Sequence, residues 1–311
     1  MKTYHKVVNV TGWIVFAIAF TVYFFTVERT SSLWDCGEFI AGAYKLEVVH
    51  PPGAALFLLI GRMFTMIADS FSNEGADISF SINLLSGFCA AFMAMMVCWV
   101  TIMFGRLTLK NGRIELPSLA ETYALSFAGL VGGLTSAFCT SIWFSAVEGE
   151  VYAMSTFFTA LTLWAATKWY ILPDEPRSDR WLVFSVYAAG LSTGVHLLSL
   201  LTFPTLALLY YFKKYERNTF AGIIGAGLAG LVALGFVQKI VIVGIPTLWA
   251  KLEILMVNGL GMPFQSGIVP LVLFIGAAIV FVFKFINSKK HQALQVLFMS
   301  CLLYTSDAAD E

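Results

Sequence analysis

The chain has 311 residues, of which 59% are hydrophobic and only 12% charged, about half the charge of an ordinary soluble domain. Nineteen basic residues balance nineteen acidic ones, which argues against nucleic acid as a partner. One water-soluble core cannot bury this much apolar surface, and the mean hydropathy of +0.80 points to a protein whose solvent is partly lipid.

Long apolar runs recur at 12–27, 80–104, 123–144, 152–171, 220–243 and 267–283. Each approaches the ~20 residues a helix needs to cross a hydrocarbon core. Helices are expected because lipid offers no partner to open backbone groups. The expected fold class is all-α, a polytopic transmembrane helical bundle. The first run is read as a retained anchor, since Val27-Glu28-Arg29 is not a small-residue cleavage site. The five cysteines, Cys36, Cys89, Cys98, Cys139 and Cys301, form no CxxC pattern, so neither a disulfide framework nor a zinc site is expected.

Basic residues orient membrane helices. They cluster at Lys2/Lys6, Arg106/Lys110/Arg113, Lys168/Arg177/Arg180, Lys213/Lys214/Arg217 and Lys284/Lys289/Lys290. Placing every cluster in the cytoplasm requires an even number of crossings between neighbours. The runs 80–104, 123–144 and 152–171 comply. The stretch 181–212 then has to leave and return as a hairpin turning near Gly194-Val195-His196; one long helix kinked at Pro204 is the rival. The stretch 53–68 is short for a span and contains Arg62, so it is read as a helix in the outer interface. Residues 28–79 become one large external segment, with 145–151, 194–197 and 244–266 on the same side. The N-terminus is then cytoplasmic. Residues 1–300 are expected to be one membrane domain. The 301–311 tail resembles translated adapter sequence and is read as non-native, with the natural chain interrupted near residue 300 and a last helix, 293–304, cut short.

This threading uses only basic residues, yet it gathers three polar groups on the outer face. In Trp34-Asp35-Cys36-Gly37-Glu38, Asp35 and Glu38 at i, i+3 share a helix face, and adjacent carboxylates can divide acid and base roles. A solvated loop with Asp35 as N-cap explains the same residues. In His50-Pro51-Pro52-Gly53 two prolines stiffen the turn, and His50 is either a ligand or incidental. Arg62 either snorkels or holds a phosphate, which guanidinium geometry suits. Glu148 and Glu150 at i, i+2 point to different faces, so at most one faces a site. His196 is a packing residue or joins them through the hairpin.

The stretch Leu33-Trp34-Asp35-Cys36-Gly37-Glu38-Phe39-Ile40, running into His50-Pro51-Pro52-Gly53-Ala54, resembles a bacterial membrane family grouped with protein O-mannosyltransferase-like enzymes of the GT-C glycosyltransferase fold. Ala146-Val147-Glu148-Gly149-Glu150-Val151-Tyr152 and Gly194-Val195-His196-Leu197-Leu198 are similar to its later motifs. The resemblance spans roughly residues 10–300. It implies a membrane enzyme with a large first external loop that moves a sugar from a polyprenyl phosphate or diphosphate to an acceptor hydroxyl on protein or glycan. In a bacterial inner membrane the active site is then periplasmic. Protein O-mannosyltransferases usually carry an adjacent Asp-Glu pair in that loop; here Cys36-Gly37 separates the acids.

On this reading Asp35 is the base with Glu38 supporting or substituting. Arg62, His50 and His196 stand on the donor phosphate side, and Glu150, Glu148 and Trp34 on the sugar or acceptor side. The sequence requires no cofactor and leaves a divalent metal open. The rival classes are a transporter or flippase and a structural envelope subunit. Transporters place their charges near the bilayer midplane, whereas the acids here sit at membrane edges.

Overall fold

The computed structural model describes residues 2–288, apart from 52, 72–73, 111–114, 176 and 216. Pro52, Arg113, Lys289, Lys290, the expected helix 293–304 and the 301–311 tail lie outside the described residues. Every regular element among the described residues is helical. The chain divides into two compact units, one ending at Thr202 and the other beginning at Phe203.

The first unit contains α1 (Lys2–Thr26), α2 (Cys36–Lys45), α3 (Ala55–Asp69), α4 (Gly75–Leu109), α5 (Leu119–Ala137), α6 (Thr140–Ala146), α7 (Val151–Ile171), α8 (Asp179–Thr193) and a 3-10 segment, Leu197–Thr202. Its axis is α4, against which α1, α3, α5, α6 and α7 pack. Small residues allow this. Ser86, Gly87, Ala90, Ala91, Ala94 and Cys98 are buried along α4, and small side chains let helix backbones approach in lipid. On α5, a methyl group at Gly129 would come within 2.5 Å of Ile102, and one at Gly133 within 2.9 Å of the Ala94 carbonyl. Both positions therefore need glycine for close approach. Three polar side chains pair across helices: the Tyr23 hydroxyl donates to the Ala137 carbonyl at 2.6 Å, Trp99 Nε1 to the Val8 carbonyl at 3.1 Å and Ser185 Oγ to the Thr162 carbonyl at 2.8 Å.

The run read as one span at 123–144 is broken. Helices α5 and α6 meet at a 65° bend. Tyr23 takes the Ala137 carbonyl, one of those that a helix end leaves without an intrahelical donor, so the chain can turn there. Near the expected hairpin, α8 ends at Thr193, with Gly194 closing its last turn.

In the second unit are α9 (Phe203–Lys214), α10 (Phe220–Phe236), α11 (Ile245–Ile254) and α12 (Ile268–Ser288). A π-helical segment, Val237–Gly244, joins α10 to α11, and a second, Leu255–Gly259, extends α11, giving one helix, Phe220–Gly259. The stretch 244–266, expected on the external side, is helical for most of its length. Pro246 opens α11 immediately after the first π segment, where the altered hydrogen-bond ladder accommodates its missing N–H.

Among the described residues, three helices are long and apolar enough to cross a membrane: the α1 segment Thr3–Thr26, α4, and Phe220–Gly259, with a fourth if the bent α5–α6 pair is one span. At 21 residues α7 has the length, but Ser155, Thr156, Thr159, Thr162 and Thr167 dilute its hydropathy, and much of it is buried among its neighbours. The chain is an integral membrane protein.

Candidate functional site

The segment after α1 is held down by one buried side chain. Asn83, fully buried on α4, donates from Nδ2 to the carbonyls of Glu28 at 2.8 Å and Thr30 at 2.9 Å. The Glu28 amide in turn donates to the Val147 carbonyl at 3.0 Å. Motifs more than a hundred residues apart are therefore in register. Immediately before Asp35, Trp34 has a left-handed φ of 66°, a costly conformation for a bulky residue and one concentrated at functional sites. Asp35 occupies the N-cap of α2 but its carboxylate makes no cap hydrogen bond.

His50 lies between the two acids. Glu38 accepts the His50 amide on Oε1 at 2.7 Å and meets Nδ1 with Oε2 at 2.8 Å. His50 Nε2 stands 3.9 Å from Asp35 Oδ2. The turn is closed by Gly53, whose amide donates to the His50 carbonyl at 3.0 Å and whose φ of 79° favours glycine. The Glu38 hydrogen bond, aided by the charges of Glu38 and Asp35, raises the pKa of His50 above 6.5. The same side-chain bond, with the His50 amide, lowers that of Glu38. One ligand atom from each of Asp35, Glu38 and His50 lies within 4.8 Å of the others, so this exposed trio could bind a divalent cation.

Across from His50, the Glu150 side of the cleft is drier. Glu150 is 8% exposed. Burial, followed by repulsion from Glu148 and Asp35, raises its carboxyl pKa. His196 lies in the turn after α8, its ring 5.3 Å from that of Tyr152. Its Nδ1 accepts the Leu198 amide at 3.1 Å, which leaves Nε2 as the donor of the neutral ring; burial lowers its pKa. The turn is tied to the start of α3 by the Leu56 amide donating to the Gly194 carbonyl at 2.8 Å.

Asp35, His50, Glu150 and His196 line one cleft together with Phe39 and Tyr152. Glu38 joins through its grip on His50. The cleft's volume of about 50 Å³ holds a few waters, so a hexose must sit over its mouth or open it. Three expected site residues are elsewhere. Arg62 donates to the Tyr44 carbonyl at 2.5 Å and lies over the Tyr44 ring; it closes the C-terminal turn of α2 instead of facing the cleft. Trp34 is 85% exposed and does not line the cleft, nor does the Glu148 carboxylate. Sequence reasoning missed Asn83 and Tyr152. Asn83 did carry a signal, as an amide inside an apolar run, where polar side chains are costly.

Residues 35–219 match the family model described as the protein O-mannosyl-transferase TMEM260 N-terminal domain. A curated relative from Dictyostelium discoideum, protein O-mannosyl-transferase tmem260, is 26% identical over 196 residues, covering 59% of this chain and 21% of its own length. The Mus musculus protein O-mannosyl-transferase TMEM260 is 22% identical over 178 residues, covering 57% of this chain and 22% of its own. The chain thus spans about a fifth of the length of these relatives. No solved structure matches it.

Proposed function

The chain belongs to the protein O-mannosyl-transferase TMEM260 N-terminal domain family, and on that premise we propose that it is the N-terminal part of a membrane glycosyltransferase. It moves a mannose-like sugar from a polyprenyl-phosphate donor to an acceptor hydroxyl, on protein Ser or Thr, at the external face of the membrane. A GT-C-type helical domain over residues 1–300 carries the reaction, with α3 in the outer interface. The observation that supports this most is the meeting of Asp35, His50, Glu150 and His196 around one cleft inside the family-matched segment.

Asp35 takes the proton of the acceptor hydroxyl. The acceptor oxygen forms a bond to the anomeric carbon as the bond from that carbon to the phosphate oxygen breaks, and the electron pair leaves with the polyprenyl phosphate. Protonated His50, held by Glu38, and the Nε2–H of His196 donate to the departing phosphate. Such positioned donors act where charge develops. Glu150, with its raised pKa, orients the sugar or acceptor as a hydrogen-bond donor when protonated. Arg62 is left out of the phosphate side because Tyr44 engages its guanidinium.

The experiment is transfer by the full-length protein in nanodiscs, with polyprenyl-phosphate mannose and a Ser/Thr peptide, read by mass spectrometry. Asp35→Asn keeps the shape and removes the base; turnover should fall about 10²–10⁴-fold with donor binding retained. Turnover within tenfold of wild type in both Asp35→Asn and Glu38→Gln would rule out carboxylate catalysis and favour a flippase.

A further inference from the structure

A second cavity, far larger than the acidic cleft, lies at the other end of α1. It has a volume of about 760 Å³ and runs between the first half of α1 and the first half of α5. Its walls are apolar side chains, chiefly Val10 and Ile14 from α1 and Phe127 and Leu130 from α5. Along α1 it extends from Thr3 to Ile14, about 16 Å at helical rise, which is close to one leaflet of a ~30 Å hydrocarbon core. Thr3, Lys6, Thr11, Tyr123 and Ser126 bring polar groups to this apolar surface, and two of them matter here. Lys6 stands at the end near the N-terminus, exposed and with no carboxylate partner among the described residues. Among the described residues, two other cations are engaged: Lys110 with Glu121 at 2.9 Å, and Arg106 with the Glu115 carbonyl at 3.0 Å. Deeper in the groove Ser126 lines the wall, 5% exposed, with its hydroxyl buried and without a hydrogen-bond partner. Thr11, the other hydroxyl at that depth, already donates to Val7.

The order of these groups along the groove matters. Val15 faces Gly133, and Tyr23 reaches Ala137, so α1 and α5 run in the same direction. Counting back from that level places Ser126 beside the 7–11 stretch of α1. The stem of Lys6 points toward the helix N-terminus and carries its ammonium outward to the headgroup level. From the surface inward the groove presents a cation, then an orphan hydroxyl, then hydrocarbon. A glycerophospholipid presents the matching series: phosphate, ester carbonyl a few ångströms further in, then acyl chain. An unpaired buried hydroxyl is costly, and an ester carbonyl would satisfy it.

We infer that the α1–α5 groove binds one anionic glycerophospholipid from the leaflet at the N-terminal end of α1, with its phosphate on Lys6 and an ester carbonyl on Ser126. The site is at the opposite end of α1 from the acidic cleft and does not depend on the glycosyltransferase reading. The ligand holds α1 against α5 along the half of their interface that protein atoms leave open.

The test is native mass spectrometry of the full-length protein released from nanodiscs of phosphatidylglycerol, phosphatidylcholine or an equal mixture. From the mixture the protein should retain one phosphatidylglycerol in preference to phosphatidylcholine. Exposed Lys6→Glu should cut that retention by roughly tenfold, as reversal of a surface cation near anionic lipid implies. Ser126→Leu, which fills the groove, should abolish it, and Ser126→Ala should weaken it with an unchanged melting profile. Equal retention of both lipids, or an adduct unaffected by Lys6→Glu, would overturn the site. So would displacement of the retained phosphatidylglycerol by polyprenyl phosphate added to the mixture, since the groove would then hold the donor tail.

Discussion

His50 is fixed at two points by one carboxylate, through its amide and its ring, and this arrangement sets a pH window. The pKa of His50 is raised above 6.5, so what the pair contributes is complete below 6.5 and is lost as pH rises through the higher folded value. That of Glu38 is lowered below 4.5, so its contribution is present above 4.5 and is lost only as pH falls through the depressed value. If protonated His50 assists the leaving phosphate, the alkaline limb of the pH–rate profile lies above 6.5. Glu38→Gln should move that limb downward. A limb that stays put in Glu38→Gln would remove His50 from the reaction. The choice of Asp35, Glu38, His50, Glu150 and His196 was legible from residue type and motif. The engagement of Arg62 by the Tyr44 carbonyl was not legible, because it depends on how α3 lies against α2, which no local pattern records.

At the scale of elements, the site depends on a helix that contributes no residue to the cleft lining. Asn83 of α4 holds the 28–30 strap, and the 148–150 turn packs against the same side chain, since a Cβ on Gly149 would come within 2.7 Å of Asn83 Oδ1 and 2.9 Å of Ile82. Gly149→Ala therefore overpacks this junction and should cost about 1–3 kcal/mol. Asn83→Leu leaves two carbonyls without their donor and should cost a similar ~1–3 kcal/mol. Both are measurable as lowered melting temperatures in detergent, and both should reduce turnover more than donor binding, because they shift Glu150 relative to Asp35. A Gly149→Ala protein with unchanged melting and turnover would show that the junction is slack. Hydropathy alone suggested an unbroken span at 123–144; the Tyr23 hydroxyl on Ala137 is a long-range partner that permits the 65° bend.

For the whole molecule, the open question with the largest consequence is the side on which α3 ends. Along α3, Leu59, Met63, Met66 and Ile67 are exposed, while Phe57, Leu58, Gly61 and Thr65 are buried on the opposite face. A helix with protein on one face and exposed apolar side chains on the other suits an interface, and its 15 residues amount to about 22 Å, short of a ~30 Å core. Ser70, exposed just after α3, is the probe position. A Ser70→Cys protein should react with an impermeant maleimide added from outside to intact cells. Labelling only after permeabilisation would mean that α3 spans the bilayer, with the acidic cleft at its external end.

The sequence by itself determined the class of the molecule, the rough positions of its apolar helices and the identities of the acids and histidines that meet. Composition, run length and motif are local properties, and a bilayer imposes helices on any chain that enters it. The tertiary structure decided which of those residues share a cleft, because Asp35 reaches Glu150 only through the small-residue packing of α4 and the double grip of Asn83. It also decided that Arg62 caps a helix, that 244–259 continues as helix, and that α1 and α5 part to leave a lipid-sized groove. Each of these depends on contacts between segments far apart in the chain, where the outcome turns on a few ångströms of side-chain fit.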